Sequence, residues 1–224
     1  MICRLACLVL LGILLGCFRE GTPSPEAGYG YFPLETGAWV EYEVTETRFA
    51  LARSPETRTY RIRETMGEKY TDASGQDVYH VERAVREGDS WKTDSILTAW
   101  RTPHGAFRNE NGITFVKLRF PIGQTGTWDG NLYNNRGEQL YELRHSGESA
   151  RVGKVVFDKT IAVIQQNDST LLSLRRSQEL YAEGVGLIGW EHTNVNYCGT
   201  PDCVGQGVID YGIRRTGILS TYGK

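Results

Sequence analysis

The residues best placed for chemistry are two cysteines, in the run Cys198-Gly199-Thr200-Pro201-Asp202-Cys203. Gly199 and Pro201 let such a loop fold back, which brings the two β-carbons within bridging range. In a compartment that permits disulfides the pair reads as a bridge. Two free thiols, or half of a metal site, are the alternatives. A structural zinc site wants four ligands, and His192 would bring the total only to three. The Cys-x2-Cys spacing of a thioredoxin-like redox site is not met.

Other constellations are absent from the chain. His80, His104, His145 and His192 form no His-x3-His or His-x-His pair. There is no Gly-x-Ser-x-Gly nucleophile turn and no Gly-x4-Gly-Lys-Ser/Thr phosphate loop. Asn167-Asp168-Ser169-Thr170 lacks the spacing of a calcium loop and reads as a β-turn. Glu41 and Glu43 share a strand face, which suits cross-strand ion pairs better than acid–base work. The sequence therefore predicts no enzyme, no metal and no cofactor. What stands out instead is aromatic: five tryptophans and twelve tyrosines. Trp39, Tyr42, Tyr60, Trp100 and Trp128 are the candidates to line a groove for a lipid, glycan or peptide. Ordinary sheet packing is the plainer account of the same residues.

The elements that would position these residues are strands. From Gly37 to Thr47 the chain alternates, with Ala38, Val40, Tyr42 and Val44 on one face and Glu41, Glu43 and Thr45 on the other. That is the period of a half-buried strand. Similar strands are predicted over 57–66, 78–87, 91–101, 113–120, 140–144, 154–165, 171–176 and 185–192, with a last one over 208–218. Asp72–Gly75, Gly88-Asp89, Asn111-Gly112 and Asn167-Asp168 are read as turns. Ser177–Ala182 is predicted as one helical turn, stopped by Gly184 and Gly186. The twenty-six glycines suit a turn-rich chain. The expected fold is all-β and mainly antiparallel, a single curved sheet or half-barrel with little helix. One internal echo is present. Phe32-Pro33-Leu34 leads through Gly37 to Trp39, and Phe120-Pro121-Ile122 leads through Gly126 to Trp128. A recurrent turn that packs a Trp over the sheet end explains it more simply than a duplication.

Charge is nearly balanced, Lys+Arg 25 against Asp+Glu 27. That excludes a protein built to neutralise many phosphates, so no nucleic-acid partner is expected. One apolar run, Leu5 to Gly16, follows Arg4. It is too short for a stable span and has the length of a signal-peptide core. Leu14-Leu15-Gly16-Cys17 resembles the bacterial lipobox. The resemblance implies cleavage after Gly16 and acylation of Cys17, which would then hold the chain on a membrane. The domain reading is a lipoprotein signal peptide over 1–16, an acylated Cys17 with a flexible tether over 17–30, and one β-rich domain over 31–224. Pro23-Ser24-Pro25 centres the tether. Phe rather than Asp follows Cys17, which in well-studied bacterial lipoproteins favours the outer membrane.

Tyr31-Phe32-Pro33-Leu34-Glu35-Thr36-Gly37-Ala38-Trp39-Val40-Glu41-Tyr42 resembles the opening of small Bacteroidetes-type lipoproteins. Trp128-Asp129-Gly130-Asn131 and Tyr181–Ile188 are similar to that group as well. The group implies a location, the cell envelope, and no activity. Its layout is similar to the half-barrel of lipoprotein carriers. The function expected is a non-catalytic binding module on the envelope, with an apolar ligand. A structural lipoprotein that docks an envelope protein complex is the alternative.

Overall fold

The computed structural model describes residues 27–123 and 126–224. The signal segment, Cys17 and all of the tether before Ala27 lie outside the described residues, as do Gln124 and Thr125 of the internal echo. Twelve strands follow in chain order: β1 (Trp39–Phe49), β2 (Glu56–Thr71), β3 (Asp77–Glu87), β4 (Ser90–Thr102), β5 (Gly105–Glu110), β6 (Ile113–Arg119), β7 (Thr127–Asp129), β8 (Leu140–Val152), β9 (Val155–Ser169), β10 (Ser173–Ala182), β11 (Gly186–Tyr197) and β12 (Ile209–Gly223). All pairings are antiparallel. The strands form one sheet in the order β6-β5-β4-β3-β2-β1-β12-β11-β10-β9-β8-β7. Each strand pairs with its neighbour in sequence except β6 and β7, which are the two edges, and β1 pairs with β12 in the middle of the order.

Alternation explains most of the strands. In β1, Tyr42, Val44 and Glu46 are buried between more exposed neighbours, as a period of two requires. Turn chemistry fits the connections. Asn111 and Gly112 both adopt positive φ, 53° and 80°, the conformation that a two-residue hairpin turn between right-twisted strands demands. The sheet curls further than a half-barrel and is nearly closed. Its two edges, β6 and β7, are short and meet without a full ladder. The Val116 N–H donates to the Gly130 carbonyl at 2.9 Å, and the Trp128 indole N–H donates to the Val116 carbonyl at 2.9 Å. Asn134 Nδ2 reaches the Thr114 carbonyl at 2.8 Å. These bonds occupy edge groups that would otherwise stand open.

Two readings of the sequence are corrected. Ser177–Ala182 is no helical turn but part of β10, bonded to β9 on one side and β11 on the other. Two ladders satisfy more backbone groups than one isolated turn could. Asn167-Asp168 lies inside β9, and the reversal falls at Thr170, whose N–H bonds the Ser173 carbonyl. β5 had no counterpart in the sequence reading.

One core cluster gathers Tyr31 and Phe32 with Val81, Leu97, Leu118, Phe120, Trp128 and Tyr141. Another joins Tyr42, Val44, Ile62, Ile188 and Leu219 around β1 and β12. The residues before β1 belong to this packing. Tyr29 meets Phe120 edge-on at 4.7 Å, and the Gly184 N–H bonds the Gly30 carbonyl at 2.8 Å.

The seam predicts its own weak points. Trp128→Phe keeps an aromatic ring but removes the donor to Val116 and leaves a small void at a buried position, and is expected to cost about 1–3 kcal/mol. At Gly130 a β-carbon would stand 2.2 Å from the Tyr141 ring, so Gly130→Ala is expected to cost about 1–3 kcal/mol through overpacking. Urea unfolding followed by tryptophan fluorescence measures both. Unchanged midpoints would mean that the seam does not hold the barrel shut.

Candidate functional site

Inward-facing side chains leave a cavity of about 1150 Å³ inside the barrel. Its middle is ionic. On β2, Glu64 takes an inward position, with Ile62 and Met66 before and after it on the same face. Arg83 stands opposite it on β3 in register and donates to its Oε1 from Nη2 at 2.7 Å. Arg108 reaches the same oxygen from β5 at 2.5 Å, over the two strands between. Arg108 Nε then faces Glu110 at 3.3 Å. Glu110 in turn lies 3.9 Å from the Lys117 ammonium on β6. Lys117 crosses to Glu179 on β10, and the Tyr181 hydroxyl donates to the other oxygen of Glu179 at 2.5 Å. The signs alternate along this path: Arg83, Glu64, Arg108, Glu110, Lys117, Glu179.

Each charge is held by its neighbours against its burial. Burial by itself would raise the Glu64 carboxyl, but Arg108 and Arg83 outweigh it and bring its pKa down to about 2. Burial would likewise discharge Lys117, yet Glu179 and Glu110 raise it. Burial pushes the Tyr141 phenol up to about 12, and Tyr42 and Tyr181 rise well above the ordinary tyrosine range for the same first reason. The phenols therefore remain neutral donors at neutral pH. Arg108 Nε is the one buried side-chain polar atom without a hydrogen bond among the described residues.

The five aromatic candidates separate. Trp39, Tyr42 and Tyr60 border the cavity. Arg63 covers the Trp39 ring at 4.9 Å, and the Tyr42 hydroxyl donates to the Leu187 carbonyl at 2.8 Å. Trp100 points away from the cavity, because its neighbour Ala99 points in, and it stacks on Phe107 at 5.3 Å. Trp128 is buried at the seam against Tyr141. Aromatic residues that the sequence reading did not single out for the groove line it too, among them Phe115, Tyr181 and Trp190. Gly217 makes room for Trp190, since a β-carbon there would fall 2.2 Å from the indole nitrogen. The charged residues of the lumen were missed altogether. Their signal was polar residues on the inward parity of several strands, as at Glu46, Glu64, Arg108 and Lys117.

Cys198 and Cys203 are joined by a disulfide, with their Cα atoms 5.8 Å apart. It closes the loop between β11 and β12. That loop lies at the barrel end remote from the start of β1, because Phe49 at the far end of β1 pairs with Gly212. Among the described residues no three His, Cys, Asp or Glu side chains gather as a metal site requires.

Fold and cavity together define a nearly closed antiparallel β-barrel with an ionic lumen. No family model matches the chain, and no curated protein matches it. Among solved structures it is similar to a Bacteroides fragilis protein, provisionally described as exported and of YmcC-like fold. The two share 11% identity over 87% of this chain and 99% of that one, with a TM-score of 0.46. It is also similar to a Parabacteroides distasonis protein provisionally described as a lipoprotein, at 10% identity over 86% and 98% of the two chains and a TM-score of 0.38.

The depressed carboxyl sets an acid limit. Glu64 stabilises the fold fully above its ordinary pKa of 4.5, and that contribution is lost as pH falls toward about 2. Glu46 and Glu110, also lowered, act in the same direction. Urea midpoints measured from pH 7 down to pH 2 should therefore fall steeply below about pH 4.5. Glu64→Gln should be less stable by about 3–5 kcal/mol at pH 7 and show a shallower acid slope. Equal slopes for the two proteins would mean that Glu64 does not carry the effect.

Proposed function

We propose that the chain is a lipid-anchored protein of the bacterial cell envelope, held at the outer membrane through Cys17, whose barrel binds a polar ligand in its lumen without transforming it. The anchor rests on the leader and on the lipobox-like Leu14–Cys17. The binding role rests on one observation above others, the alternating path of ions along a cavity of about 1150 Å³. A volume of that order is what binding sites for small molecules have.

The expected apolar ligand gives way to a polar one for an energetic reason. An apolar molecule would strip water from ionised groups and return no hydrogen bonds. A polar ligand can replace that water bond for bond. Asn131, Gln139, Gln165 and Ser177 also line the cavity and offer neutral donors and acceptors. Tyr60, Phe115 and Trp190 offer flat apolar faces beside them. Sugars present that same mixture of hydroxyl edges and apolar faces, so a glycan is the best match among the lipid, glycan and peptide classes.

A second reading, docking to an envelope protein, has its own observation. Leu171, Leu172, Val204 and Val208 are exposed around the disulfide loop. They stand at the barrel end away from the start of β1, and so away from the membrane if Cys17 is the anchor.

Native mass spectrometry of the full chain, released gently from detergent, tests the binding role. Extra mass that leaves on denaturation is expected. A bare polypeptide-plus-lipid mass would turn the reading toward docking. Growth with labelled palmitate tests the anchor: label should enter the wild type and be absent from Cys17→Ser. Label retained in that variant would overturn the anchor.

A further inference from the structure

At one mouth of the lumen a row of inward side chains crosses six strands in register. It runs Arg58 on β2, Glu46 on β1, Arg215 on β12, His192 on β11, Ser177 on β10 and Gln166 on β9. Glu46 has Arg58 and Arg215 directly opposite it on its two sides, and Arg48 lies two residues along its own strand. The Glu46 side chain is 0% exposed, whereas those of Arg58 and Arg215 are 60% and 40% exposed. One buried carboxylate thus holds three guanidiniums from beneath.

The contacts leave donors free. Arg215 uses Nε, at 2.6 Å from Glu46 Oε2. Arg48 uses Nε, at 2.7 Å from Oε1. Arg58 uses Nε and Nη2, at 3.0 and 2.9 Å. Guanidinium carries five N–H donors in a planar fork, so each arginine keeps outward N–H groups after binding Glu46. Three positive charges and one negative leave an excess of two on the cluster. Glu56, opposite Arg48 in register, offsets part of it on the side away from the lumen. Among the other acids that border the cavity, Glu191 is bonded by Gln178 and Thr193, Glu87 by Lys92, and Asp94 by Ser95. Arg58 and Arg215 border the large cavity, with Tyr60 beneath Arg58 at 4.9 Å and His192 and Ser177 farther along the row. A salt bridge needs one cation per carboxylate. Here the surplus cations face a cavity and are already oriented.

We infer that Arg58 and Arg215, set by Glu46 and buttressed by Arg48, form an oxyanion-binding site at the lumen mouth, which takes the carboxylate or phosphate group of the ligand. The inference rests on the lumen-binding reading and adds the ligand's charge to it: an acidic molecule, such as a glycan bearing uronate or phosphate. The polar lumen beyond would take its neutral part. Planar forks match either anion through paired hydrogen bonds.

The test uses the full chain in a neutral detergent. Inorganic phosphate, acetate and chloride are titrated separately at constant ionic strength, and the arginine Nε–H resonances are followed by NMR. Arg58→Lys and Arg215→Lys keep the charge over Glu46 and so keep the fold, while each removes one resonance and one fork. Saturable shifts of the Arg58 and Arg215 signals with phosphate or acetate, absent with chloride, are expected. Each Lys variant should bind about tenfold more weakly, because a fork is replaced by a point charge. Tighter binding of phosphate than acetate would name a phosphate group, and the reverse a carboxylate. Shifts that are linear and equal for all three anions, or equal affinity in wild type and both variants, would overturn the site. A co-purified mass in a protein indifferent to phosphate and acetate would overturn this inference alone. A saturable anion response in a protein that co-purifies with nothing would leave the site standing and remove the occupied lumen.

Discussion

Six ions in alternating order, four of them buried and two, Arg83 and Glu110, half-buried, govern the interior of this barrel. Moving one charge out of water costs several kcal/mol, and an isolated charge would discharge instead. Here no charge is isolated. Glu64 carries two guanidiniums, Arg108 lies between Glu64 and Glu110, and Lys117 lies between Glu110 and Glu179. The path also runs between walls, since Arg108 reaches from β5 to β2 and Lys117 from β6 to β10. It ties together strands that no backbone ladder joins. A barrel interior packed with aliphatic side chains would close on itself. This one stays open because its middle is committed to charge.

The same logic explains the closure of the sheet. β6 and β7 share no ladder with each other, so side chains and one turn do the joining. Trp128, Asp129, Gly130 and Asn131 act as a unit. The indole holds Val116 and the Gly130 carbonyl takes the Val116 N–H. Asp129 Oδ1 accepts from the Asn131 and Gln139 N–H groups, which shapes the loop that lies against β6. The missing β-carbon of Gly130 lets the Tyr141 ring lie against its backbone. Residues quoted from sequence as a shared motif are thus those that shut the barrel.

The strands legible in the sequence were those whose inward face is apolar. Tyr42 and Val44 in β1, and Val81 and Val85 in β3, announce their faces plainly. β10 was misread because Ser177 and Glu179 point inward, and an inward polar residue looks like an outward one. Glu64 was passed over for the same reason, although Ile62 and Met66 flank it on one face. Alternation tells which residues share a face but not whether that face is filled or hollow. It could not separate Tyr60, which borders the cavity, from Trp100, which packs outside it. The pairing of Glu46 with both Arg58 and Arg215 needed the register of β12 against β1. Those strands are joined across nearly the whole chain.

That last pairing also orders events in time. Trp39 is opposite Gly223, a separation of 223 − 39 = 184 residues. β1 cannot gain its second neighbour until β12 has been synthesised, and contacts between such distant residues form slowly. While the chain is still being made, its first strand has an open edge and its core lacks Leu219. Completion of the barrel therefore waits for β12, the last strand in chain order. Until that strand arrives, the polypeptide keeps the loose form that a narrow protein-conducting channel can thread.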